Sequence, residues 1–211
     1  MKLETKELYD ILLHNMGPQG WWPANNEIEM MIGALLVQNT NWNNVVRSLD
    51  NIRQLTAFDH QRLAALTSSE VEELIRPSGY YKSKAKAIST LLNWLAEYDF
   101  DYHQLSQHFG EELRNELLKL HGIGPETADV LLVYLFHRVE FIPDSYTRRL
   151  YAKLGYSHTE NYNRFKKEIT LPSDFTTDDA KEFHGLLDEF GKKYLSGKPK
   201  ETEHFLSAYF I

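Results

Sequence analysis

A short turn built from two glycines constrains this chain more than any other feature of its sequence. Gly122 and Gly124 stand on either side of Ile123, and an amphipathic segment expected to be helical over 111–120 precedes them. Pro125 follows at the place where the first residue of a new helix belongs. Because glycine permits tight turns and close backbone approach, this run predicts a helical hairpin over 111–137.

The hairpin also indicates what it can bind. The helix that starts at Pro125 would aim its N-terminus outward, so that backbone amides and the helix dipole can hold a phosphate without a lysine. An ordinary corner between two helices is the alternative, because a Gly-x-Gly turn alone is weak evidence.

Apolar residues recur at helical spacing along the rest of the chain, for example at Leu8, Ile11 and Leu12 and again over 88–95. No run alternates between apolar and polar residues in the way that a half-buried strand would. The sequence therefore predicts an all-α fold. The last stretch, 197–211, mixes proline and charge before ending on aromatics, which predicts a docked or a frayed tail.

The composition allows a sizeable core. The chain has 211 residues, of which 42% are hydrophobic and 13% aromatic, enough for one large domain or two small lobes. No apolar stretch is long enough for a membrane span, and the first residues lack the apolar core of a signal peptide. We therefore expect a cytoplasmic protein without a membrane partner.

The absence of cysteine excludes several kinds of covalent link and metal site. Disulfides, iron–sulfur clusters and zinc–thiolate sites are excluded, because the sequence contains no cysteine. The nine histidines are scattered, and no pair stands at helical ligand spacing beside a carboxylate. We expect no metal ligands among these side chains.

The net charge limits how the chain could bind a nucleic acid. A formal charge of −7 opposes non-specific binding to a polyanion. Any DNA site must therefore be local, made of a few cations and backbone amides. A helical protein–protein module without a DNA role is the alternative that this charge favours.

The hairpin is followed by a second informative motif, Pro143-Asp144-Ser145-Tyr146. Asp144 stands before a segment expected to be helical over 145–154, where a carboxylate can cap the helix. With the hairpin before it, this arrangement resembles the helix-hairpin-helix–Gly/Pro–Asp superfamily of base-excision DNA glycosylases, which includes endonuclease III. The resemblance implies a two-lobed endonuclease III-like fold without the iron–sulfur cluster, and Asp144 as the catalytic carboxylate.

Two positions depart from the commoner family pattern. Lyase members carry a lysine two residues after the second hairpin glycine, where this chain has Glu126. A carboxylate cannot form a Schiff base, so the resemblance implies a monofunctional enzyme that hydrolyses the N-glycosidic bond with water. Around Asp144 only the aspartate itself is kept from the family's Val-Asp-Thr motif.

Two further segments, 21–42 and 76–86, resemble the cluster-free bacterial 3-methyladenine DNA glycosylases, and the match runs from about residue 21 to 155. This resemblance implies a cationic, alkylated purine as the released base, held by electron-rich rings beside Asp144. For Trp22, filling of the core is an equally good interpretation. The implied base pocket consists of Trp21, Trp22, Pro23, Trp42 and Lys193.

The same resemblance assigns DNA contacts. Gln38, with Asn39 assisting, would fill the gap left by a flipped base, and Tyr80 would enter the stack from the other side. Lysines close together in an acidic protein favour phosphate contacts, although a solvated lysine face is the ordinary explanation. The candidate DNA-binding residues are Gln38, Asn39, Tyr80, Lys82, Lys84, Gly122, Ile123, Gly124, Thr127 and Arg148.

The family fold implies a particular domain organisation. Residues 23–135 would form a six-helix lobe with the hairpin, residues 1–22 and 136–211 a second lobe, and the active-site cleft would lie between them. We expect a monomer that acts on double-stranded DNA containing a damaged base and needs no cofactor. The family also suggests a monovalent cation at the hairpin carbonyls.

Two other functions compatible with the hairpin stay open. One is a glycosylase for a different lesion, such as a mismatched or oxidised base. The other is a non-catalytic DNA-binding protein that kept the hairpin and lost the activity. The aromatic residues and Asp144 favour the alkylbase glycosylase over both.

Overall fold

The computed structural model describes residues 2–196 and 203–211, and the regular secondary structure of this part of the chain is helical, without a strand. The prediction of an all-α fold is confirmed. Short 3-10 helices occupy Arg76–Ser78, Gly110–Glu112 and Ser207–Tyr209. The α-helices are α1 (Thr5–Met16), α2 (Glu27–Leu36), α3 (Trp42–Thr56), α4 (His60–Ala64), α5 (Ser68–Leu74), α6 (Tyr81–Ala96), α7 (Tyr102–Phe109), α8 (Leu113–Lys119), α9 (Pro125–Tyr134), α10 (Ser145–Lys153), α11 (Tyr162–Glu168) and α12 (Thr177–Tyr194).

The chain forms two compact units. One is the continuous segment Ala24–Phe136, and the other combines the described residues up to Pro23 with those from His137 onward. The continuous unit contains eight α-helices, α2 to α9, where six were expected. The connection between α3 and α6 includes two short helices, α4 and α5.

The core of the continuous unit is built around α2 and α9, which pack against each other. From Ile28 to Leu36 every residue of α2 is buried, and so is every residue of α9 from Thr127 to Tyr134. These two largely apolar helices form the centre of the unit, and the more amphipathic α3 and α6 pack against α2.

One ion pair is buried in this unit. The guanidinium of Arg114, on α8, donates to both carboxylate oxygens of Asp129, on α9, over 2.7 and 3.1 Å. The Asp129 side chain is fully buried, whereas that of Arg114 is 25% exposed. The pair therefore ties together the two helices of the hairpin.

The second unit has an aromatic core between α1, α10, α11 and α12. Tyr151, Phe165, Phe183 and Phe190 are fully or almost fully buried, and each large apolar side chain contributes about 1.5–3 kcal/mol when it leaves water. Gly191 lets α10 approach α12, since a Cβ at this position would overlap the Cβ of Tyr146. The close approach places the start of α10 against the middle of α12.

The described end of the C-terminal tail is docked. Leu206 is fully buried, and the backbone amide of Ile211 donates to the carbonyl of Lys153 over 2.9 Å. The start of the predicted tail, 197–202, lies outside the described residues. Within the described part, no helix is both long and apolar enough to cross a membrane.

Candidate active site

The hairpin is formed by α8 and α9, as predicted, with its two glycines in different roles. Gly122 has a φ of 80°, and a Cβ placed on it would lie 2.5 Å from the Cβ of Ala87 on α6. Gly124 has a φ of −90°, and a Cβ there would meet no heavy atom within 4 Å. Gly122 is therefore required by the fold, whereas Gly124 leaves open space at the start of α9.

This difference gives a matched pair of variants. We expect Gly122→Ala to lower the free energy of unfolding by about 2 kcal/mol, because alanine is strained at positive φ and its Cβ pushes against α6. Gly124→Ala should leave stability close to wild type. Urea denaturation of the two variants measures the difference, and equal losses would show that the backbone conformation at Gly122 carries no special cost.

The N-terminus of α9 has the geometry of an anion site. Gly124 is its exposed N-cap and Pro125 its first residue, so the amides of the first turn have no acceptor inside the helix. The Ile123 side chain is buried, 5% exposed, and its amide donates to the carbonyl of Leu120. The Ile123 side chain anchors the turn in the core, and the predicted DNA contact of this residue stays a prediction.

The side chain of Gln38 is bound to the hairpin. Its amide nitrogen donates to the carbonyl oxygen of Gly122 over 3.2 Å and to the hydroxyl of Thr127 over 3.0 Å. Thr127 is buried, so its hydroxyl acts within the protein as the acceptor for Gln38. The loop after α2 is therefore fixed to the turn between α8 and α9.

The catalytic candidate, Asp144, caps α10 as predicted. Its Oδ1 accepts the backbone N–H of Thr147 over 2.6 Å, and its Oδ2 lies 3.5 Å from the Nε2 of His184 on α12. The residue is 7% exposed. Burial raises the pKa of Asp144, but the hydrogen bond and charge of His184, together with Thr147, lower this pKa below its usual value. The site therefore favours the carboxylate form.

The middle of α12 continues this polar site. Asp188 lies one turn beyond His184, and burial together with the nearby charge of Asp144 raises the pKa of Asp188. The ammonium of Lys192 contacts the carboxylates of Asp188 and Glu189. It also lies 4.5 Å from the centre of the Trp21 ring. One face of α12 thus carries His184, Asp188 and Lys192 in succession.

Trp21 reaches the same helix because Gly185 has no side chain. A Cβ on Gly185 would lie 2.6 Å from the Cβ of Trp21. Trp21 and Asp144 therefore contact neighbouring residues of α12, Gly185 and His184. An aromatic residue and a buried carboxylate thus lie beside adjacent residues of one helix.

Comparison with known proteins identifies the family. Residues 32–172 match the model of the HhH-GPD superfamily base excision DNA repair proteins. The chain belongs to this family. A Methanocaldococcus jannaschii protein provisionally named as a DNA repair glycosylase is 34% identical over 91% of this chain and 89% of its own length. Endonuclease III of Sulfolobus acidocaldarius is 24% identical over 81% of this chain and 74% of its own length.

Solved structures agree with this membership. The H. pylori 3-methyladenine DNA glycosylase bound to 1,N6-ethenoadenine has a TM-score of 0.71 and 27% identity, covering 90% of this chain and 98% of its own. A trapped endonuclease III–DNA covalent intermediate has a TM-score of 0.78 at 20% identity, covering 99% of this chain and 96% of its own. The chain is thus a DNA glycosylase with the endonuclease III-like fold and, lacking cysteine, without an iron–sulfur cluster.

The aromatic candidates of the glycosylase fall into both units. Trp21 and Trp22 are half-buried, their ring centres are 5.5 Å apart, and Pro23 beside them is exposed. The indole N–H of Trp21 is buried and has no hydrogen-bond partner among the described residues. Trp42 is the half-buried first residue of α3 in the continuous unit. A base pocket that joins these rings stays a prediction.

Besides the two hairpin glycines, three DNA-contact candidates are exposed. Asn39 has a φ of 53°, and Tyr80 is 73% exposed with a φ of 47°. Lys82 is exposed in the first turn of α6. All three are accessible on the surface of the continuous unit, and their contacts with DNA stay predictions.

Lys84 was predicted to contact a phosphate, and this prediction is wrong. Its side chain is buried, 5% exposed, and its ammonium donates to the carbonyls of Leu36 and Ser78, each over 2.8 Å. Burial lowers the pKa of Lys84. The lysine instead joins the end of α2 to the 3-10 helix Arg76–Ser78, which lie directly before the loops of Asn39 and Tyr80.

Arg148 also has partners inside its own unit. Its guanidinium donates to the carbonyl of Pro143 over 3.1 Å and to those of Thr159 and Glu160 over 3.3 Å each. It therefore holds the turn that leads into Asp144. Its predicted phosphate contact is untested, and the observed bonds give it a structural role.

The cation that lies over Trp21 is Lys192, the neighbour of the predicted Lys193. Both lysines are exposed, the ammonium of Lys193 lies 4.7 Å from the ring centre of Tyr194, and the place of Lys193 in a base pocket stays a prediction. Sequence reasoning also missed His184 and Asp188. The signal was available, since both are polar residues that interrupt the apolar face of α12 at a spacing of one turn.

Proposed function

We propose that this glycosylase is a monofunctional enzyme that releases alkylated purines such as 3-methyladenine from duplex DNA. The observation that carries the proposal is the buried Asp144 carboxylate, held at the start of α10 beside the helix that also contacts Trp21. The likeness to a 3-methyladenine DNA glycosylase in complex with 1,N6-ethenoadenine supports the same substrate class.

The charge of the site suits a cationic base. The ammonium of Lys192 lies over the Trp21 ring and contacts the carboxylates of Asp188 and Glu189. The carboxylate of Asp144, which the site keeps in its anionic form, attracts a positively charged purine. An electron-rich indole adds to this attraction, since stacking on a flipped base contributes about 1–3 kcal/mol.

In the proposed reaction the departing base needs little assistance from the protein. A purine alkylated at N3 is already cationic, and it departs with the electrons of the glycosidic bond as a neutral base. Positive charge then develops on the sugar, where the Asp144 carboxylate stabilises it. The same carboxylate accepts a proton from the water that adds to the sugar, which leaves an abasic site.

Glu126 supports a reaction without strand cleavage. It lies exposed in the first turn of α9, at the position of the family's lyase lysine. A carboxylate forms no Schiff base with the sugar. We therefore expect borohydride reduction during turnover to trap no protein–DNA adduct, and a trapped adduct would contradict the monofunctional assignment.

The hairpin carbonyls are only partly available to hold a monovalent cation. One of the hairpin carbonyls, that of Gly122, already accepts the amide of Gln38. No step of the proposed reaction depends on such an ion.

A lesion panel tests the proposal directly. Duplexes that carry one 3-methyladenine, 1,N6-ethenoadenine, hypoxanthine, 8-oxoguanine or G·T mismatch are incubated with the protein, and the free base is quantified. We expect release of alkylated purines and no release from the oxidised or mismatched duplexes. Release confined to those last two would assign the enzyme to a different lesion, and binding without release of any base would identify a non-catalytic hairpin protein.

A further inference from the structure

One buried titratable group beside Asp144 has no part in the proposed reaction. His184 is 6% exposed, and its Nε2 lies 3.5 Å from Oδ2 of Asp144. Buried polar groups are retained where they hold a partner in place, because an unpaired one costs free energy. The position of His184 therefore indicates a role connected with the Asp144 carboxylate.

The two oxygens of Asp144 are held differently. Oδ1 accepts the N–H of Thr147 at the start of the helix, which is the ordinary bond of an N-cap. Oδ2 lies 3.5 Å from the Nε2 of His184. Without His184, the carboxylate could still cap α10, but the orientation and charge of its second oxygen would no longer be supported.

We propose that His184 is a positioning residue, which orients Oδ2 of Asp144 and keeps it in the anionic form that receives the proton of the attacking water. The inference rests on the proposed function, since it deepens the role of Asp144. His184 does not touch the base or the sugar in this scheme; it acts through the carboxylate.

The surrounding charges are consistent with this role. Asp144 faces His184 from α10, while Asp188 and Lys192 follow it along α12, and Trp21 from the N-terminal segment adds no charge. Burial raises the pKa of Asp144, but the hydrogen bond and charge of His184 lower it below its usual value. His184 thus favours the anionic form of the carboxylate whose Oδ2 it faces.

The test compares His184→Phe, which fills the space without a donor, with His184→Gln, whose amide can donate to Oδ2. We expect the phenylalanine variant to release 3-methyladenine about tenfold more slowly at neutral pH, with the KM for DNA unchanged. The acid limb of its pH–rate profile should move to higher pH, because the pKa of Asp144 rises when its donor is lost. The glutamine variant should recover most of the rate.

His204→Phe is the matched control. His204 lies in the same unit, 5.0 Å from the ring centre of Phe190, and contacts aromatic residues of the core. This control should keep both the rate and the pH profile. If His184→Phe proves unstable, His184→Leu, which also lacks a donor, takes its place in both measurements.

A second measurement separates this inference from the proposed function. The Asp144 carboxyl is titrated by 13C NMR in wild type and in His184→Phe, with its resonance assigned through Asp144→Asn. We expect the midpoint to rise by at least about half a unit in the variant. A wild type that releases no base overturns the proposed function alone, whereas an unchanged midpoint or an unchanged pH–rate profile in an active enzyme overturns the role of His184.

Discussion

Replacing Asp144 with asparagine is expected to reduce base release by about 10³-fold, because the neutral amide neither stabilises positive charge on the sugar nor accepts a proton from water. Asparagine is also a good N-cap, so the bond to the Thr147 amide can persist and α10 should stay intact. Single-turnover release of 3-methyladenine from duplex DNA measures the effect.

Two controls define this prediction. Binding of an abasic-site duplex by Asp144→Asn should match the wild type, and so should the midpoint of thermal unfolding. Near-normal release by the variant would remove Asp144 from the chemistry. Loss of DNA binding together with stability would instead mean that its main role is to cap α10.

The second large effect concerns stability. We expect Arg114→Met to lower the free energy of unfolding by about 3 kcal/mol, because it leaves the fully buried Asp129 carboxylate without its bidentate partner. The loss falls on α8 and α9, the two helices of the hairpin, so affinity for duplex DNA should fall as well. Urea denaturation and a binding titration measure the two effects.

The double variant Arg114→Met with Asp129→Asn is the control. Removing the negative charge at the same time should recover most of the lost stability, since the cost comes from an uncompensated buried charge. If the double variant is as unstable as the single one, packing of the Arg114 side chain, and not the ion pair, is what joins α8 to α9.

Local chemistry made two elements of the site predictable. The hairpin follows from Gly122 and Pro125, because a turn residue at positive φ and a first helical position each favour a particular kind of residue. Asp144 was predictable as a cap because its bond is made to an amide only three residues away. Such interactions join residues that are only a few positions apart, and they can therefore be predicted from the sequence.

Long-range packing decided what the charged side chains do. Lys84 looks like its neighbour Lys82 in the sequence, but the fold buries its ammonium against a carbonyl of α2. Lys192 and Lys193 are adjacent, and only the first lies over Trp21. The direction of a long side chain depends on the elements packed around it, which no local pattern specifies.

The sequence by itself thus determined the all-α class, the hairpin, the capping carboxylate and the absence of an iron–sulfur cluster. The tertiary structure alone brought His184 to Asp144 and Trp21 to Gly185. Both contacts join residues far apart in the chain. The second depends on the space that Gly185, which has no side chain, leaves on α12. Their geometry follows from how closely helices and loops can pack, which is a property of the folded core and not of any one segment.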